Sequence, residues 1–170
     1  MKERKIMPFD KNFVPALRFA VMSDIHIDDE DCIEEQRFAK ALDDLKNLCS
    51  SDERYSGFDA LVIVGDFASR GSEIQMRKVK KILDAGLPAD VRLIMTMASH
   101  EYMTDGEENA LRRFDEIFGL TPDTHAVING FDFIAVTTTR GCHFDEKKRG
   151  FVSAELEKAA ERDGKKPIFF

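Results

Sequence analysis

The run Ala60-Leu61-Val62-Ile63-Val64-Gly65-Asp66 sets five apolar residues directly before a glycine and a carboxylate. An all-apolar, β-branched segment this short is the pattern of a parallel strand covered on both faces, since a half-exposed strand would alternate in polarity. Chains built on such strands are α/β proteins, and in open α/β sheets ligands gather beyond the carboxyl ends of the strands. Asp66 stands at that point. A single Gly-Asp pair is more often a turn cap than a site, so its weight depends on whether the neighbouring strands end in the same way.

They do. Residues 16–22 read as a first strand that runs into Ser23-Asp24-Ile25-His26, a carboxylate and an imidazole two positions apart, which share one side if the chain there is extended. Residues 91–97 read as a third strand running into Ala98-Ser99-His100-Glu101. Helical patterns separate the strands. Ile33, Phe38, Ala41, Leu42, Leu45 and Leu48 form one apolar face, and Ser72 with Gln75 has capping-box spacing for a helix ended by Gly86 and Pro88. A further helix is expected over about 107–118, with Gly119 as its stop. The Asn129-Gly130 pair then predicts a hairpin with strands over 124–128 and 131–138. A charged loop over 141–150 should lead to a last helix starting near Ser153, and another strand begins after Pro167. Residues 1–15 are mixed in character and read as an N-terminal arm before a single domain over 16–170.

Composition narrows the classes of function. A chain of 170 residues, 43% hydrophobic, suits one core. Its 25 basic residues are scattered among 32 acidic ones, for a net charge of -7, which disfavours a general nucleic-acid surface. Three cysteines without CxxC spacing suggest neither a disulfide framework nor a zinc knuckle, and fit a reducing, cytoplasmic setting. No apolar run is long enough to span a bilayer.

Asp24-x-His26, Gly65-Asp66 and His100-Glu101, each closing a strand, make a set of oxygen and imidazole donors suited to Mn, Fe or Zn. In order and spacing they resemble the calcineurin-like metallophosphoesterase family, whose motifs read D-x-H, G-D, G-N-H-D or G-N-H-E, and then two later histidine motifs. The resemblance runs from about residue 17 to the end, and residues 19–26 match closely. It implies a two-sheet sandwich flanked by helices, a four-layer αββα fold of which this chain would supply the front part. It also implies hydrolysis of a phosphoester, in a small molecule or a phosphorylated substrate, at two divalent metal ions. Asp24 and His26 resemble ligands of the first ion, Asp66 the carboxylate bridging both, and Ser99 stands where the second ion's amide ligand would be. A bridging carboxylate holds two cations about 3.5–4 Å apart so that a hydroxide can attack phosphorus. His100 matches the histidine that supports the leaving group, with Glu101 as an outer partner; His125 and His143 match no motif and are expected as surface or turn residues.

The chain departs from the family at two places. Its third motif is Ala98-Ser99-His100-Glu101, with Ala for Gly and a hydroxyl for the amide, and the later histidine motifs would fall after Phe170. Continuation of the domain beyond Phe170 is therefore expected. Two other classes stand beside the enzyme: a member that keeps the scaffold as an interaction or regulatory module, and a generic flavodoxin-like or nucleotide-binding α/β domain. The third is the weakest, because neither G-x-G-x-x-G nor G-x-x-x-x-G-K occurs.

Overall fold

The computed structural model describes residues 12–163 and 166–170. Strand β2 (Ala60–Val64) lies between β1 (Phe19–Met22) and β3 (Arg92–Thr96) in a parallel sheet, with Val21, Val62 and Ile94 in register. Parallel neighbours require long crossovers, supplied here by α1 (Ile33–Ser50) and α2 (Glu73–Gly86). The Ser72 hydroxyl and the Gln75 side chain form the expected capping box at the start of α2. Side chains alternate along β2. Leu61 and Ile63 enter a core with Phe38, Leu42, Met76 and Val79, while Val62 joins Ile94 on the opposite face. Helix α3 (Glu107–Phe118) completes the helical layer, with Phe114 and Phe118 packed on Phe67.

The second sheet contains β4 (Thr124–Ile128), β5 (Phe131–Ala135) and β6 (Ile168–Phe169), antiparallel between the first two and parallel between the last two. Asn129 and Gly130 turn the hairpin at φ of 51° and 79°, the pair of left-handed residues that a two-residue turn needs. The inner face of this sheet, Ala126 and Phe133, meets Val62 and Ile94. Phe19 stands edge-on to Phe133 at 5.1 Å and to Phe169 at 4.8 Å. Helix α4 (Glu146–Asp163) packs against β5. The result is the four-layer helix, sheet, sheet, helix arrangement implied by the sequence.

Several boundaries and one side chain differ from expectation. β1 begins at Phe19 because Arg18 is committed to the loop before β2: its N–H donates to Asp59 at 2.7 Å and its guanidinium to Asp52 at 2.6 Å. β5 ends at Ala135, and Thr137 instead receives the Met97 N–H at 3.0 Å, linking the two sheets. α4 starts at Glu146, not near Ser153, because the Asp145 carboxylate accepts the Lys148 N–H at 2.9 Å and caps the helix there. Gly150 is carried inside that helix at a cost of about 1 kcal/mol. The expected arm over 1–15 lies, up to residue 11, outside the described residues.

His125 is no surface histidine. Its side chain is 8% exposed, with Nδ1 2.7 Å from Glu155 of α4 and Nε2 2.7 Å from Asp132 of β5. A burial this polar persists because each group is paired, and Lys158 and Arg162 add counter-charge to the same carboxylates. His143, by contrast, is an exposed loop residue whose ring faces Thr139 Oγ1 at 3.1 Å.

Phe114 is fully buried between the helical layer and the first sheet. Phe114→Ala should lower unfolding free energy by about 3–5 kcal/mol, read as a fall in the urea midpoint with an unchanged slope.

Candidate metal centre

Because β1, β2 and β3 are parallel, their carboxyl ends lie on one edge, and the segments that follow them are laced together there. The His26 N–H donates to the Asp66 carbonyl at 3.1 Å, Ile27 N–H to Phe67 at 3.1 Å, and Ser69 N–H returns to Ile27 at 2.9 Å. This lacing forces unusual backbone. Asp24, His26 and Asp66 have φ of 56°, 53° and 50°, and they are three of the five non-glycine residues with positive φ among the described residues. Left-handed backbone costs an L-residue roughly 1–2 kcal/mol, and strain of this kind gathers where the surrounding structure holds a site. Asp24 and His26 are therefore not extended, although they still approach each other, with His26 Nε2 3.9 Å from Asp24 Oδ1.

One ligand-capable atom from each of His26, Asp66 and His100 lies within 4.8 Å of the other two. The two imidazole rings meet edge to face at 4.6 Å. Asp24, 68% exposed, stands at the mouth beside His26. Ser99 precedes the short 3-10 turn His100–Tyr102, and its side chain makes no capping hydrogen bond. Two imidazoles and a carboxylate form a donor set for a first-row divalent cation. Their spread is close to what one ion bridges with donors at about 2.0–2.2 Å, so the residues present fit a metal.

The orientation of His100 is fixed from both ends. Its backbone N–H donates to Asp66 Oδ1 at 3.2 Å, and its Nδ1 lies 2.8 Å from the Ser69 carbonyl. A carbonyl only accepts, so Nδ1 carries a proton toward Ser69 and Nε2 is left to the site. Ser69 also donates its hydroxyl to the His26 carbonyl at 2.9 Å, so one residue holds both histidines.

Glu101, expected only as an outer partner, is the centre of this edge. Its carboxylate is fully buried and accepts three backbone N–H groups, from Asp66 at 3.0 Å, Ala68 at 3.0 Å and Ala98 at 2.9 Å. Burial raises its carboxyl above the ordinary range, against the downward pull of the three N–H groups. Loop 65–71 wraps so tightly around it that a Cβ on Gly71, at φ 71°, would overlap the Glu101 carbonyl. A Cβ on Gly65 would come 2.5 Å from Ala98 Cβ, so the alanine that replaces the family glycine is accommodated by the glycine opposite. The sequence offered one sign of Glu101's role: a glutamate directly after a strand-end histidine, with small residues before it. Nothing local marked Ser69, whose partners lie on two other segments.

Asp24 and His26 line an open cavity of about 760 Å³ together with Cys32, Arg37 and Phe38. A more apolar cavity of about 590 Å³ between the two sheets contains none of the cluster residues.

Replacing Glu101 by Gln would turn an amide N–H₂ toward a backbone N–H, leaving a buried donor unpaired. Glu101→Gln should lower stability by about 1–3 kcal/mol, and Gly71→Ala by at least about 1 kcal/mol, both measured as shifts of the chemical unfolding midpoint.

No helix among the described residues is long and apolar enough to cross a membrane. A search of curated proteins finds no match to the chain. The family model for calcineurin-like phosphoesterases matches residues 17–162. That match spans all three strand-end motifs and most of the fold, and the chain belongs to the calcineurin-like phosphoesterase family.

Proposed function

We propose that the chain hydrolyses phosphoester bonds with a divalent cation held at the carboxyl edge of the first sheet. The observation that carries this reading is the convergence of His26, Asp66 and His100 on backbone strained at Asp24, His26 and Asp66. A bound cation supplies Lewis acidity toward phosphoryl oxygens and makes water a stronger acid. Asp24, His26 and Asp66 are the residues assigned to hold it. The family resemblance implies two ions sharing Asp66, with the Ser99 hydroxyl standing where an amide ligand of the second would be.

The remaining residues position and exclude. Glu101 fixes the backbone of Asp66, so the carboxylate is held before a ligand arrives. Ser69 leaves His100 Nε2 free to hold or give a proton to a leaving oxygen. The cavity that Asp24 and Phe38 line has room for the alcohol part of a small phosphoester or a phosphorylated side chain, with Arg37 also in its lining. A reducing, cytoplasmic setting accords with this reading and with three free cysteines. A non-catalytic role as an interaction module is favoured by one observation, the hydroxyl of Ser99 in place of an amide.

With manganese added, the chain should slowly hydrolyse an activated aryl phosphoester. Chelator should abolish that turnover, and Asp66→Asn should reduce it at least about 100-fold, or roughly 2.7 kcal/mol of barrier. Turnover that survives chelator, or is equal in Asp66→Asn, would sink the enzymatic reading and leave the module.

A further inference from the structure

Helix α4 is seated on the second sheet by polar contacts as much as by apolar ones. Among the described residues its buried positions are Lys148, Glu155 and Ala159, which share one face of the helix, and two of the three are ionisable. A stripe of apolar side chains ordinarily holds such a helix to its neighbour. Here the His125 cluster stands in its place. The ring, on β4, faces Glu155 Oε2 of α4 through Nδ1 and Asp132 Oδ1 of β5 through Nε2, both at 2.7 Å.

Two hydrogen bonds to two carboxylates need two protons, and a neutral imidazole carries one. With a neutral ring, a lone pair would face a buried carboxylate oxygen at 2.7 Å, a desolvation cost with no bond to offset it. A carboxyl could hold the second proton instead, but each acid has its own cation. Lys158 Nζ is 2.6 Å from Glu155 Oε1, and Arg162 Nε is 3.4 Å from Asp132 Oδ1. These cations favour the ionised acids, and Glu155 is held below the ordinary carboxyl range by Lys158 first and His125 second. On its remaining side His125 lines a groove with Asp59, Asp90 and Arg92. We propose that His125 is a charged imidazolium while α4 is docked, and that it acts as a proton-operated latch fastening this helix to the second sheet.

The direction of the pH dependence follows from where the proton is held. An unfolded histidine is charged only below about pH 6.5, so the latch contributes fully below that value and is lost as pH rises and the docked ring gives up its proton. On the acid side, the lowered carboxyl of Glu155 contributes fully above its ordinary value of 4.5 and is lost as pH falls through its lower folded value.

The test uses the full chain with ¹⁵N-labelled histidine, the His125 ring being assigned through its backbone. At about pH 7.5, above the free-histidine range, both ring nitrogens should read as protonated. Hydrogen exchange of the α4 amides, corrected for intrinsic rates, should show protection that falls roughly tenfold per pH unit once the proton leaves, the slope of one linked proton. The amides of α1 should show no such slope. Asp132→Asn offers an N–H of its own to Nε2, so its α4 protection should be independent of pH over the same range. A ring with one protonated nitrogen at about pH 7.5, α4 protection flat in the parent up to about pH 10, a slope shared with α1, or an unchanged slope in Asp132→Asn would each overturn the proposal. If Asp132→Asn does not fold, the proton count on the parent's ring decides alone.

Discussion

The carboxyl edge of this protein depends on one buried charge. The Glu101 side chain accepts backbone N–H groups from the segments after β2 and β3, which no ladder hydrogen bond joins at that point. Without it, three buried donors would lack partners, and each such loss is comparable to a sizeable fraction of a domain's net stability. Desolvating a carboxylate is costly, and the compensation comes from three N–H dipoles directed at two oxygens. The backbone at Asp66, the tight loop at Gly71 and the start of the turn that carries His100 all follow from that arrangement. The putting of a charge at the core of the edge thus serves geometry before it serves chemistry.

The parts of the fold that were legible in the sequence are those in which a local pattern and the tertiary structure agree. The apolar run at 60–64, the Ser72 and Gln75 box, the Asn129-Gly130 turn and the middle of the α1 face at Phe38, Leu42 and Leu45 each carry their own physical cause within a few residues. Ile33 and Leu48, expected on that face, are exposed at the ends of the helix. The strand ends could be read as a site because the same polar residue types recurred after successive apolar runs. What could not be read depended on partners far along the chain. Glu101 bonds to backbone more than thirty positions earlier, His125 bonds to a helix thirty residues later, and Arg18 is claimed by Asp52 and Asp59. The start of α4 was hidden for a different reason. Asp145 is an adequate cap, but Gly150 and a run of charge made the following segment look like a loop.

The two halves of the sandwich are joined by different means. Their centre is apolar, with Phe19, Phe133 and Phe169 in edge and stacked contacts, whereas the hydrogen bonds that cross it near the site run from the Met97 N–H to the Thr137 hydroxyl and from the Tyr102 hydroxyl to the Thr138 carbonyl at 2.7 Å. Those two bonds flank the turn bearing His100. The directional contacts between the two sheets thus lie beside the site, and the non-directional apolar ones at the centre.

The left-handed backbone at Asp24, His26 and Asp66 also determines what each position can become. Aspartate and asparagine tolerate that conformation better than other L-residues with a Cβ, so at Asp24 and Asp66 an amide can replace the carboxylate with little change in backbone preference. Histidine shares part of that tolerance but has no uncharged isostere, and alanine lacks a side-chain oxygen to bond locally. Exchange of charge and exchange of shape are thus separable at the two acids but not at His26. The conformational entropy of ordering these positions is spent when the chain folds rather than when a ligand arrives, and this preorganisation favours tight binding by few donors.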